Sequence, residues 1–177
     1  MKNFTIIITA LITLVSCQSK SYYAAESINI ERFNGWEEEN AEFLLISNDK
    51  NMLLENLSEL ALNKATFKDT YLTTSKALES YKHINNDITL ESVTKRVKLA
   101  SALSTKSDKV YQELARAKDE DFDKLYKKMV LNQIIEFKQL TASYRSEGRN
   151  DRIKDLSRKI DHKLVLAEEI VAKLDIS

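Results

Sequence analysis

"FDKLYKKMVLNQIIEFKQLTASYRSEGRND", residues 122–151, decides the fold. Within it Val130, Ile134, Phe137, Thr141 and Tyr144 recur at intervals of three and four residues, the spacing that keeps one helix face on a core. Beside that stripe runs a second, through Phe122, Tyr126, Met129, Gln133, Glu136 and Leu140. The acids of "KDEDFD" at 118–123 suit the positive end of a helix dipole and mark its start. At the other end "SEGRND" places Gly148 to take the left-handed conformation past a helix terminus, and Asn150 or Asp151 can cap the helix that follows.

The same periodicity continues in both directions. Downstream, Ile153, Leu156, Ile160, Leu164, Ala167, Val171 and Leu174 define a last helix. Upstream, a first helix starts at "NGWEEE", with Asn34 as cap and Glu37 completing a capping box, and buries Leu53, Leu57, Leu60 and Ala61. Phe43 to Ile46 belong to it across a kink at Ser47–Asp49. Phe67, Tyr71, Thr74, Leu78 and Tyr81 form the stripe of a second helix, ended by "NND" at 85–87. A third region carries Val93, Val97, Ala100 and Leu103, breaks near Ser104, and resumes with Val110, Leu114 and Ala117. Proline is absent and glycine occurs twice in 177 residues, where average usage gives about nine and about twelve. Sheet proteins use both residues in turns, so the fold class is all-α: an antiparallel bundle of four to five helices.

The amino terminus carries an address. Residues 1–16 have the pattern of an export signal: Lys2, an apolar stretch from Phe4 to Val15, then Ser16. The stretch is shorter than the roughly 20 apolar residues that cross a bilayer as a helix. "LVSC" at 14–17 resembles the lipobox of bacterial lipoproteins, which makes Cys17 the first mature residue and the site of lipidation. The competing reading is an ordinary signal peptide with a chance cysteine at its end. Cys17 is the only cysteine, so no internal disulfide is available. Gln18, not aspartate, follows it, which points to the outer membrane, facing the periplasm. Residues 17–35 read as lipidated cysteine plus polar flexible tether, and 36–177 as the bundle domain.

At "FDKLYKKMVLNQ", residues 122–133, the chain resembles exported bacterial proteins of the family called domain of unknown function forty-one forty-two, which are described as having a ferritin-like helical fold. The matching residues are Phe122, Asp123, Tyr126, Met129 and Val130. "ENLSELALNKAT", from Glu55 to Thr66, resembles the family's first-helix pattern, and the segment around His162, Leu164 and Ala167 resembles its last. The resemblance implies the fold and export, without a settled activity. It also implies histidines in the second, fourth and last helices. Here those positions hold Ser80 or Tyr81, then Gln133, then His162, with Lys163 aligning as well as His162.

Composition narrows the function. The chain has 27 basic and 27 acidic residues, so no basic surface suggests nucleic acid. Di-iron bundles require Glu-x-x-His motifs, and neither His83 nor His162 has a glutamate three residues before it. No metal, cofactor or catalytic residue is therefore assigned. Neither a glycine-rich elbow nor a phosphate loop is present, which argues against an enzyme. Gln133 and Glu136 interrupt an apolar stripe; they either sit at the edge of the core or line, with His162, a small ligand pocket. The expectation is a lipid-anchored envelope protein whose bundle binds or scaffolds, with an envelope protein as partner. The alternatives are an atypical ferritin-like metal protein and a bundle that takes a small apolar or peptide ligand between its helices.

Overall fold

The computed structural model describes residues 21–176. Their helices are α1 (Tyr22–Arg32), α2 (Trp36–Lys64), α3 (Lys68–Lys95), α4 (Thr105–Ala115), α5 (Asp119–Glu147) and α6 (Asp151–Ala172). The four long ones stand at the corners of a square, with α2 beside α3 and α5, and α6 beside both of those. Contacts at the ends fix the directions. Lys64, at the end of α2, reaches Ala117 just before α5, while Tyr144, near the end of α5, donates to Asn40 near the start of α2. Arg152, at the start of α6, donates to Glu91 near the end of α3. Every adjacent pair is thus antiparallel, and the chain between α3 and α5 must travel the length of the bundle. Residues 96–118, with α4 inside them, make that crossover. A single long crossover is the connection used by ferritin-like bundles.

Both stripes of α5 explain its place. Phe122, Tyr126, Met129, Val130, Ile134, Phe137, Thr141 and Tyr144 are buried, while Gln133, Glu136 and Leu140 are half-buried at the core's edge. On α6 the buried apolar set is Ile153, Leu156, Ile160, Leu164, Ala167 and Val171, as the period requires. Asn150 caps this helix, its Oδ1 accepting from the Ile153 amide at 3.2 Å. Gly148, in contrast, is extended (φ −62°, ψ 150°), not left-handed. Space is what demands glycine there: an added Cβ would stand 2.6 Å from the Tyr144 ring.

The amino-terminal half departs further from the sequence reading. The expected tether at 18–35 contains α1, a helix docked on α2. Ala25 packs against Leu45 and Ala100, and Asn29 is buried because it grips the crossover by both amide atoms. Its Nδ2 donates to the Lys98 carbonyl at 2.9 Å and its Oδ1 accepts from the Lys98 amide at 2.8 Å. An apolar periodicity could not reveal a helix whose second anchor is an asparagine. Cys17 and the segment before it lie outside the described residues.

Gly35, with φ 56°, takes the cap position of α2 in place of Asn34, which offers only its carbonyl to the Glu37 amide. No break occurs at Ser47–Asp49, because α2 is continuous and those residues are buried. "NND" does not end α3 either. That helix continues to Lys95 and stops where Arg96 turns left-handed (φ 59°). Its core face is Thr70, Thr74, Ala77, Leu78, Tyr81, Ile84 and Ile88, so Phe67 and Tyr71 are exposed. Two buried threonines had disguised that phase.

Candidate binding cleft

Gln133 lies on the wall of a cleft of about 320 Å³ built from four elements: the start of α1, the middle of α2, the start of α4 and the middle of α5. Tyr22, Ile46 and Val110 give it apolar surface, and Lys50, Lys106 and Gln133 its polar one. Asp49 ties the start of α4 to α2. Its carboxylate accepts from the Ser104 amide at 2.7 Å, the Ser104 hydroxyl at 2.8 Å and the Ser107 hydroxyl at 2.7 Å. Ser104 in turn caps α4, accepting from the Ser107 amide at 3.2 Å. The two serine hydroxyls are therefore committed donors to a carboxylate.

Glu136, one turn beyond Gln133, bridges two ammonium groups. Lys50 Nζ lies 2.9 Å and Lys106 Nζ 3.7 Å from its Oε2. The Lys50 hydrogen bond holds the Glu136 carboxyl below its ordinary range against the opposing effect of burial, and the Lys106 charge adds to it. Burial pushes the Tyr22 phenol up to about 12, with the charges of Glu26 and Asp49 contributing. It remains a neutral donor at physiological pH. The arrangement can hold a small group by hydrogen bonding and apolar contact. Lys50 and Lys106 are already paired with Glu136, and Asp49 with the Ser104 and Ser107 donors.

Of the two readings of Gln133 and Glu136, the structure shows them at the edge of the core and does not bring His162 to them. Gln133 and Glu136 neighbour the cleft, but His162 is exposed on α6 and does not line it. Helix phase explains this: Asp161, one position earlier, turns toward α5, its carboxylate 3.4 Å from Arg145. His83 is exposed beside the buried Ile84. Among the described residues no three His, Cys, Asp or Glu side chains are grouped to hold a metal ion.

A second polar arrangement joins α2, α3 and α5 at the opposite end of the crossover. Asp123 is buried and its Oδ2 accepts from the Thr66 amide at 3.1 Å and the Thr66 hydroxyl at 2.7 Å. Next to it Lys64 sits 5.3 Å above the Phe122 ring and donates to the carbonyls of Ala115 at 3.2 Å and Ala117 at 2.6 Å. One lysine thus satisfies carbonyls left unpaired at the end of α4. Deeper in, burial raises the Tyr81 phenol well above its usual value, and raises that of Tyr126 despite the adjacent Thr74 and Ser58 hydroxyls. This staple was not recognised from the sequence. The signal available was a Lys-Ala-Thr and a Phe-Asp, each at a helix boundary.

The fold and its contacts define an antiparallel four-helix bundle with one long crossover and a short helix laid on its side. Residues 33–174 match the family model described as Domain of unknown function (DUF4142), and the chain belongs to that family. No curated protein and no solved structure matches it. The two segments that carry the family resemblance, 55–66 and 122–133, meet in the Lys64–Phe122 and Thr66–Asp123 contacts. Those contacts join the turn between α2 and α3 to the start of α5.

The staple has a pH signature. Burial opposes ionisation of Asp123, but the neighbouring Thr70 hydroxyl and the hydrogen bonds from the Thr66 hydroxyl and amide outweigh it and lower its pKa. A carboxyl depressed on folding contributes stability that is complete above its unfolded pKa, about 3.9, and is lost as pH falls through the folded value. Asp123→Asn should therefore flatten the acid limb of the stability curve below about pH 4. Urea unfolding at a series of pH values checks this. An unchanged acid limb would show that other carboxylates set it.

Proposed function

We propose that this chain is an exported bacterial envelope protein, acylated on Cys17, whose bundle acts by binding a partner protein at the membrane without turning over a substrate. The observation that carries the reading is "LVSC" at 14–17 standing directly before a helix docked on a folded domain. Two or more acyl chains, at about 0.8 kcal/mol per buried CH₂, hold a protein on a bilayer that a single chain would leave. Anchoring also raises the concentration of the bundle where its partners are. Gln18 favours the outer membrane, facing the periplasm.

Cys17→Ser should release the protein from membranes or leave an unprocessed precursor, read by fractionation and intact mass. A processed, unlipidated protein still retained on the membrane would sink the anchoring reading. A second reading has its own observation. The cleft beside Gln133 measures about 320 Å³, within the range of small-ligand pockets of roughly 300–1,000 Å³. Native mass spectrometry of protein extracted gently from membranes separates the two. A stoichiometric small molecule favours the ligand cleft, and acyl chains with a co-extracted protein favour the anchored interaction module.

A further inference from the structure

Two clefts larger than the one beside Gln133 open along α2. The first, about 560 Å³, lies between α2, the second half of α3 and the crossover. The second, about 690 Å³, lies between α2, the crossover and α4. Asn56, Ala102 and Leu103 line both, so the two meet as one groove. Its floor is a helical stripe of α2, in which Asn48, Met52, Glu55, Glu59 and Asn63 follow at steps of three and four residues. Asn85, Thr89 and Ser92 give α3 a matching stripe on one side, and Thr105, Asp108 and Tyr111 do so for α4 on the other. The crossover is pinned above the floor, since Asn48 Nδ2 donates to the Ala100 carbonyl at 2.9 Å.

The lining complements a peptide. Asn56 and Asn85 are half-buried, and neither amide is hydrogen bonded within the described residues. Each offers the acceptor and the donors that a peptide unit needs. Met52, Val97 and Leu99 put apolar surface beside them. Among the residues that line the α4 half, Glu59 and Asp108 are acidic and none is basic. Asp108 meets the Gln112 amide at 3.4 Å, and among the described residues neither carboxylate has an ion pair. Burial, with the Glu59 charge adding, pushes the neighbouring Glu55 carboxyl up against the effect of its Asn51 hydrogen bond. A cation in the groove would offset that.

We propose that this groove binds an extended basic segment of the partner protein, laid along α2 with its lysine or arginine side chains over Glu59 and Asp108. This gives a chemistry to the partner of the anchored bundle and rests on that reading. At 1.5 Å per residue the floor from Asn48 to Asn63 runs about 22 Å, which about seven residues of extended chain span at 3.3 Å each. A helix has its own main chain already bonded and would leave the Asn56 and Asn85 amides unused. An extended segment takes affinity from main-chain hydrogen bonds and specificity from alternate side chains. Charge sets its direction: the basic residues belong at the α4 half, and Lys98 in the α3 half turns them away.

The test uses the acylated mature chain in non-ionic detergent and a fluorescein-labelled heptapeptide of alternating lysine and alanine, read by fluorescence anisotropy. The peptide should bind. Glu59→Gln with Asp108→Asn should weaken binding about tenfold while the far-UV spectrum is unchanged. Asp155→Asn with Glu169→Gln, exposed acids of α6, should leave it as it was. Asn56→Ala should weaken it, as should N-methylation of alternate main-chain amides in the peptide, because each removes main-chain recognition.

Equal binding by the groove variant and the unaltered chain, or an equal loss in the α6 variant, would show attraction by net charge alone and overturn the proposal. Indifference to N-methylation would overturn it too. Chitotetraose held in the groove in place of the peptide would reassign the site to a glycan. A chain that co-extracts a protein from its membrane yet takes no peptide would overturn the groove and keep the partner. A chain that does neither would overturn both.

Discussion

Phe122→Ala should lower the free energy of unfolding by about 3–5 kcal/mol, the range for deleting a fully buried aromatic ring. The ring has no exposed surface, stacks against Tyr126 with its centroid 6.5 Å away, and carries Lys64 above one face. Its loss would leave a void where α2, α3, α5 and the end of the crossover converge. For a chain of this size, about 2–4 °C in melting temperature accompanies each kcal/mol, so a loss of about 10 °C is expected. Leu166→Ala is the control. That leucine is 43% exposed and its truncation should stay within about 0.5 kcal/mol. Comparable losses in the two variants would mean that the staple is not where stability is concentrated.

Asp49→Ala should cost about 2–4 kcal/mol, since it removes a buried carboxylate that satisfies one amide and two hydroxyls. Those donors belong to Ser104 and Ser107, so the damage should be local to the crossover and α4. Amide hydrogen exchange resolves this: protection should fall across 98–115 while α6 keeps its protection. Asp49→Asn, which keeps an acceptor oxygen, should lie between the two. Uniform loss of protection through α5 and α6 would instead make Asp49 part of one global unit.

The long helices were legible where apolar residues supply the period, as in α5 and α6. Legibility failed wherever a polar side chain does the packing. Asn29 conceals α1, Thr70 and Thr74 shift the apparent face of α3, and Ser47, Asn48 and Asp49 suggested a break in a continuous helix. Asn29, Asn48 and Asp49 are buried with hydrogen bonds to the crossover, and Ser47, Thr70 and Thr74 are buried on the core face of their helices; a hydrophobic count has no term for either. The candidate site was legible in part. Gln133 and Glu136 stood out as polar interruptions of a stripe, and they do border the cleft. The partners of Glu136, Lys50 and Lys106, come from other elements, and the phase of α6 that carries His162 outward is a tertiary fact.

The crossover sets the order in which this protein can assemble. On either side of 96–118 stands a helical hairpin of neighbours in sequence, α2 with α3 and α5 with α6. Such hairpins close short loops and form early. What remains is one encounter, the second hairpin settling on the first, in which Asp123 meets Thr66, while Asp49 pins the crossover between them to α2 through Ser104. The docking of the two hairpins is therefore the step expected to be slow, with the Asp123–Thr66 hydrogen bond as its latch.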